Sequence, residues 1–168
     1  MTVNDAGLGP LQDRIQTLER QLHKRRYADA YARFYAPMAL LGAMLVFQPI
    51  FDDVVVKDGT STFTSTYGTL WEMAGQDAGG PAVVGLVLVF GLIALLGVGA
   101  FGKGGSGLGW GVFGVATLIV LMLLTKPGTG TPTPDLSIAG KAGLGLGLAA
   151  LVIGAIHGSQ PLWHPDER

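Results

Sequence analysis

The stretch from Pro81 to Thr125 constrains this chain more than any other. It reads PAVVGLVLVFGLIALLGVGAF, then GKGGS, then GLGWGVFGVATLIVLMLLT. Each flank is about 20 residues long, the length a helix needs to cross a hydrocarbon core of roughly 30 Å. No charge occurs from Pro81 to Phe101, and none from Gly104 to Thr125. The link carries a single cation, Lys103. Two spanning helices joined by so short a link lie antiparallel and side by side. This helical hairpin is the frame onto which the other segments are expected to pack.

Composition agrees with that frame. Of 168 residues only 14% are charged and 49% are hydrophobic, with a mean hydropathy of +0.45. A soluble domain is roughly a quarter charged, so the chain falls in the membrane class. Most of the 27 glycines lie inside the apolar runs, where small residues let helices approach closely. The chain has no cysteine, which excludes disulfides, thiol catalysis, thiolate metal sites and a lipobox anchor. A net charge of -1 gives no signal for nucleic acid. The N-terminus is polar and charged, unlike a cleavable secretory signal, so the first apolar run is expected to be an uncleaved anchor.

Ahead of the frame, residues 1–34 read as a cytoplasmic tail and helix. Met1 to Gly9 reads as a frayed tail, and Gly9-Pro10 as a helix start, since proline suits the first turn. Leu11, Ile15, Leu18 and Leu22 follow at helical spacing, an a/d seam of about two heptads. It reads either as an amphipathic helix lying on the membrane or as a coiled-coil docking helix for a partner or a second copy. His23-Lys24-Arg25-Arg26 precedes Tyr27, Tyr31, Phe34 and Tyr35. A basic cluster before an aromatic belt marks a helix entering a membrane from the cytoplasm, and such a cluster also attracts anionic headgroups. The first span is expected over residues 35–51, with Pro37 near its start and Pro49 near its end.

The external loop is placed at residues 52–80. Val54-Val55-Val56 and Ser61 to Tyr67 are rich in strand formers, and Asp58-Gly59 between them favours a tight turn. A short β-hairpin is therefore expected over the outer helix ends. Leu70, Trp71 and Met73 form an apolar turn or helix that seals the sheet onto the bundle, with Trp71 at headgroup level. The next two spans are residues 81–101 and 107–125. Lys126 to Pro134 is an irregular connector, and Asp135-Leu136-Ser137 offers a cap for a fourth span over residues 138–157. Gly143 and Gly147 form a GxxxG pair on the side that also carries Ala150 and Gly154, and Gly107 and Gly111 form another. These small stripes read as internal packing or as a face toward another subunit. Residues 158–168 read as a cytoplasmic tail. Most cations fall on the side of the N-terminus, Lys103 and Arg168, which the positive-inside rule places in the cytoplasm. Asp52, Asp53, Asp58, Glu72, Asp77 and Asp135 make the opposite face acidic.

No catalytic constellation is legible, and the expectation is a protein that is not an enzyme and holds no cofactor or metal. His157 and His164 lie near each other in sequence, but no ligand spacing fixes a metal geometry. The glycine-rich stretch from Gly102 to Gly107 lacks the Lys-Ser/Thr pair of a phosphate loop. Lys141 is the one charge expected within a span. It reads as a snorkelling or locally paired residue, with Asp135, Asp52 or Asp53 as partner, or as an element of conduction. A transporter carries polar residues at mid-bilayer on several helices, and these spans offer almost none.

The fold class expected is an all-α membrane protein: a four-helix transmembrane bundle with a small extracytoplasmic β-hairpin and an N-terminal cytoplasmic amphipathic helix. That organisation resembles the claudin-type four-helix fold and its auxiliary-subunit relatives. Gly68-Thr69-Leu70-Trp71 is similar to the Gly-Leu-Trp signature of the claudin loop, with Thr69 inserted and without the paired loop cysteines. The cysteine-free, Gly/Ala/Val-rich composition is similar to that of actinobacterial proteins, in which small four-helix proteins accompany envelope machines such as the mammalian-cell-entry (MCE) lipid importers. The resemblance implies a non-enzymatic accessory subunit of a larger plasma-membrane complex, best an envelope lipid transporter. Leu11, Ile15, Leu18, Leu22, Trp71, Gly143 and Gly147 are then the expected partner contacts, with the lipid bilayer around the bundle and a homo-oligomer as a further arrangement. The alternatives are a homo-oligomeric, holin-like pore and an accessory subunit of a respiratory complex.

Overall fold

The computed structural model describes residues 5–58, 61–75, 80–101, 105–125 and 134–163. Helix α1 (Asp5–Leu45) is followed by strands β1 (Val54–Asp58) and β2 (Ser61–Ser65). Helices α2 (Leu70–Ala74), α3 (Gly80–Ala100), α4 (Ser106–Thr125) and α5 (Ile138–Trp163) complete the order. Among the described residues three helices are long and apolar enough to cross a bilayer: α3, α4 and the stretch Ile138–Gln160 of α5. These three make the chain a multi-pass membrane protein. Their outward faces carry exposed Val84, Val87, Leu121 and Val152. In water such a surface invites aggregation; in a bilayer it meets acyl chains.

Helix α1 differs from the expected division into a docking helix and a span. It is one uninterrupted helix of 41 residues that runs through Pro37 and stops at Leu45. The end has a local cause. Proline at position 49 disfavours helical backbone in the residue before it. The last bonds already tighten to the i→i+3 pattern, with Phe47 N–H donating to Met44 O and Gln48 N–H to Leu45 O. The start at Asp5 likewise falls ahead of the expected Gly9-Pro10.

Around the bundle, α1 packs on α3, α3 on α4, and α4 on α5, while α1 and α5 touch least. The core gathers Tyr35, Met38, Leu96, Val112, Ala116 and Ala150. The α4–α5 contact is backbone to backbone. A methyl at Gly109 would sit 2.8 Å from Gly158 Cα and 2.9 Å from Gly154 O, and one at Gly154 would sit 2.8 Å from Phe113 N. Gly107, by contrast, faces open space, and a methyl on Gly111 would make only ordinary contact with Leu95 at 3.7 Å. The close pair in α4 is therefore not Gly107/Gly111; Gly109 is the residue that meets α5.

One end of the bundle is capped. Strands β1 and β2 pair antiparallel, Val54 opposite Ser65 and Asp58 opposite Ser61, with the turn at 59–60 outside the described residues. Isolated bridges join Pro49 to Thr69 and Phe51 to Leu136. Ser137 ties the cap to α5: its Oγ accepts from Gly140 N–H at 3.0 Å and donates to Pro49 O. Of the expected capping trio, Ser137 is thus the one that caps. Helix α2 begins with a capping box in which Thr69 Oγ accepts from Glu72 N–H and Glu72 Oε2 accepts from Thr69 N–H at 2.7 Å. Gly68 precedes it at φ 65°, a left-handed conformation that glycine adopts without a Cβ penalty.

Candidate functional site

Gly42 of α1 lies level with Ile93 of α3, since a methyl there would sit 3.1 Å from the Ile93 side chain. From that level α1 has three residues left and α3 has thirteen. At 1.5 Å per residue, α1 ends about 15 Å short of the capped end of α3. The loop at residues 46–51 and helix α2 roof the space that remains, without filling it. The result is a cavity of about 580 Å³ reaching from the cap toward the bundle centre. Leu92, Leu96 and Ile119 line it toward the bundle centre, and Phe51, Tyr67, Leu70 and Met73 line it on the side of the cap. Among the described residues no Asp, Glu, Lys, Arg or His lines it, and the polar side chains that do are Tyr67 and Thr125.

Small residues make the walls. Gly42 from α1, Ala82 and Gly85 from α3, and Ala139, Gly143 and Gly147 from α5 all line the cavity. A methyl on Gly143 would meet nothing within 4 Å. Gly147 is buried, 2.9 Å from a Val120 methyl when a Cβ is placed on it. Both glycines of the GxxxG pair line this hollow inside the bundle, and Gly147 also packs closely on Val120 of α4.

Beside the roof lies a second, shallower depression lined by Asp52, Asp53, Thr66, Thr69 and Glu72 among others. Phe51 lines both spaces. Asp52 and Asp53 are exposed, so the surface next to the apolar cavity is acidic.

At the opposite end of the bundle sits a buried polar cluster. The Tyr35 hydroxyl lies 2.7 Å from Nδ1 of His157. The Tyr31 ring stacks on the same imidazole, centroids 4.4 Å apart and 11° from parallel, and Gln160 Nε2–H donates to the Tyr31 hydroxyl at 2.8 Å. Tyr35 is fully buried and His157 is 8% exposed. A methyl on Gly99 would collide with the Tyr35 ring, so α3 gives up a side chain to admit that ring. The cluster clasps α1 to α5 where those helices otherwise meet sparsely. Sequence reading missed it by placing Tyr31 and Tyr35 in an interfacial belt and His157 beside His164. The signal was available: Gly147, Ala150, Gly154 and His157 recur at spacings of three and four, which puts the imidazole on the buried stripe.

The remaining expected residues fall as follows. Ile15, Leu18 and Leu22 are exposed at 54%, 58% and 57%, while the side chain of Leu11 and those of residues 23–28 lie outside the described ones. Trp71 is 47% exposed and meets Phe90 edge to face at 5.6 Å. Lys141 is exposed one turn into α5, its N–H donating to Ser137 O at 2.9 Å. His164 is outside the described residues, and among the described residues no three His, Asp or Glu gather into a metal site. No protein family, curated protein or solved structure matches the chain.

Proposed function

We propose that the protein is a non-enzymatic accessory subunit of a larger plasma-membrane complex, of the kind that serves envelope lipid transport. The observation that carries this reading is the length of α1 ahead of the bundle. Among the described side chains, Tyr31 is the first of α1 packed against the core, and Asp5 lies 26 residues before it, about 39 Å of helix. Along it Ile15, Leu18 and Leu22 present an apolar seam to solvent. An exposed a/d seam on a rigid helix is a surface for another helix.

In this reading the bundle crosses the membrane four times with both termini in the cytoplasm. Exposed Leu40, Leu41, Met44 and Phe47 support a fourth passage, because they suit α1 and the loop after it to lipid. The apolar part of α1 is short for a span, which the cap beneath residues 46–51 compensates. Purification from the native host in mild detergent, followed by mass spectrometry, tests the reading. A larger complex is expected to copurify, and Leu18→Asp is expected to release it. A protein that never copurifies with a complex, or that abruptly depolarises cells on induction as a pore does, overturns it.

A further inference from the structure

We propose that the cavity beneath the cap binds one acyl chain of a phospholipid whose headgroup bears an ammonium group. This does not rest on docking to a larger complex; it needs only that the bundle sits in a membrane. Sites that bury a whole small ligand measure roughly 300–1,000 Å³, and this one is about 580 Å³. That size suits a single acyl chain.

The lining selects against other occupants. Water needs two to four polar partners to stay in a cavity, and the side chains here offer only Tyr67 and Thr125. A charged ligand would lose its hydration with no charge among the described lining residues to replace it. An empty space of this size forfeits the dispersion contacts of every wall atom. Among apolar molecules, acyl chains are the solvent of α3, α4 and α5. The sparsely packed seam between α1 and α5 runs beside the cavity and is where a chain enters from the bilayer.

The headgroup class follows from the rim. Phe51 separates the apolar space from the depression that carries Asp52 and Asp53. Glu72 is already engaged by Thr69, which leaves the two exposed aspartates to face a headgroup. An ammonium beside them gains attraction, and an anionic glycerol phosphate gains repulsion. Exposed pairs are weak, so the preference expected is about two- to fivefold.

The test is native mass spectrometry of the full chain, delipidated in detergent and then offered phosphatidylethanolamine or phosphatidylglycerol of identical chains. The wild type is expected to retain one phosphatidylethanolamine, at about two- to fivefold lower concentration than phosphatidylglycerol. Gly143→Leu fills the cavity at a position with open space and is expected to retain neither lipid. Gly145→Leu also meets nothing within 4 Å but points away from the cavity, and should bind as the wild type does. Asp52→Asn with Asp53→Asn should keep the chain and lose the preference. A thermal melt of Gly143→Leu no lower than that of Gly145→Leu shows that it is folded. Equal retention by Gly143→Leu and the wild type overturns the site. Preference for phosphatidylglycerol overturns the headgroup assignment, as does a preference that survives the double asparagine substitution.

Discussion

Gly109→Ala puts one methyl group into the closest helix contact of the bundle. The added carbon would sit 2.8 Å from Gly158 Cα and 2.9 Å from Gly154 O. Gly158 N is closer still. Ordinary contact begins near 3.4 Å, so α4 and α5 must part by roughly 1 Å, a gap that forfeits about half of the dispersion well for each atom pair along the seam. Overpacked positions lose about 1–3 kcal/mol. Neither neighbour can yield by rotating a side chain, because both are backbone. Against this stands the helix propensity of alanine over glycine, about 1 kcal/mol at most. The expected net effect is a loss of about 0–2 kcal/mol against the wild type, and of about 1–3 kcal/mol against a variant that gains the same propensity without the clash. Gly107→Ala is the control: it keeps the propensity gain and meets nothing within 4 Å. Reversible unfolding in mixed micelles with rising SDS, followed by tryptophan emission, reads both. Trp110 is a suitable reporter because its ring lies about 3.0 Å from where a Gly158 Cβ would be. If Gly109→Ala proves as stable as Gly107→Ala, the helices do not meet backbone to backbone and the packing described is wrong.

Two further outcomes are expected. Tyr35→Phe leaves Nδ1 of His157 without its 2.7 Å partner; hydrogen bonds between membrane helices average about 0.6 and reach about 1.7 kcal/mol. A double-mutant cycle with His157→Phe in the same unfolding assay should give a coupling of about 1 kcal/mol, and a coupling of zero would remove the clasp. Because the chain has no cysteine, single-cysteine labelling in intact cells can locate each segment. Arg14→Cys and Lys103→Cys should react on one face of the membrane and Asp58→Cys on the other; Arg14→Cys reacting alongside Asp58→Cys would show that α1 does not cross.

How much was legible in advance depended on the kind of signal. The residues of α3, α4 and most of α5 were marked by uninterrupted apolar length, which few other structures tolerate. The hairpin was marked by Val54-Val55-Val56, Asp58-Gly59 and the Ser/Thr-rich return. The continuity of α1 was hidden, because Asp29, Arg33 and Pro37 interrupt the apolar pattern that defines the other spans, and charge pattern cannot distinguish one helix from two. The Thr69-x-x-Glu72 box was present in the letters but stood inside a stretch that resembled a claudin signature. Its local role is now plain: Gly68 supplies the turn, Thr69 the cap, Leu70 the buried anchor. The cavity could not be read at all. Gly143 and Gly109 are the same residue in similar runs; one faces a void beside the end of α1, and the other meets the α5 backbone at Gly154 and Gly158.

The unbroken length of α1 also joins two distant places. From the clasp at Tyr35, thirty residues extend to Asp5 and ten to Leu45, arms of about 45 Å and 15 Å. The long arm carries the exposed Ile15, Leu18 and Leu22. Leu45 and Gly42 on the short arm are walls of the hollow. A single backbone thus runs from the outward-facing seam to the wall of the chamber, with the tyrosine clasp between them.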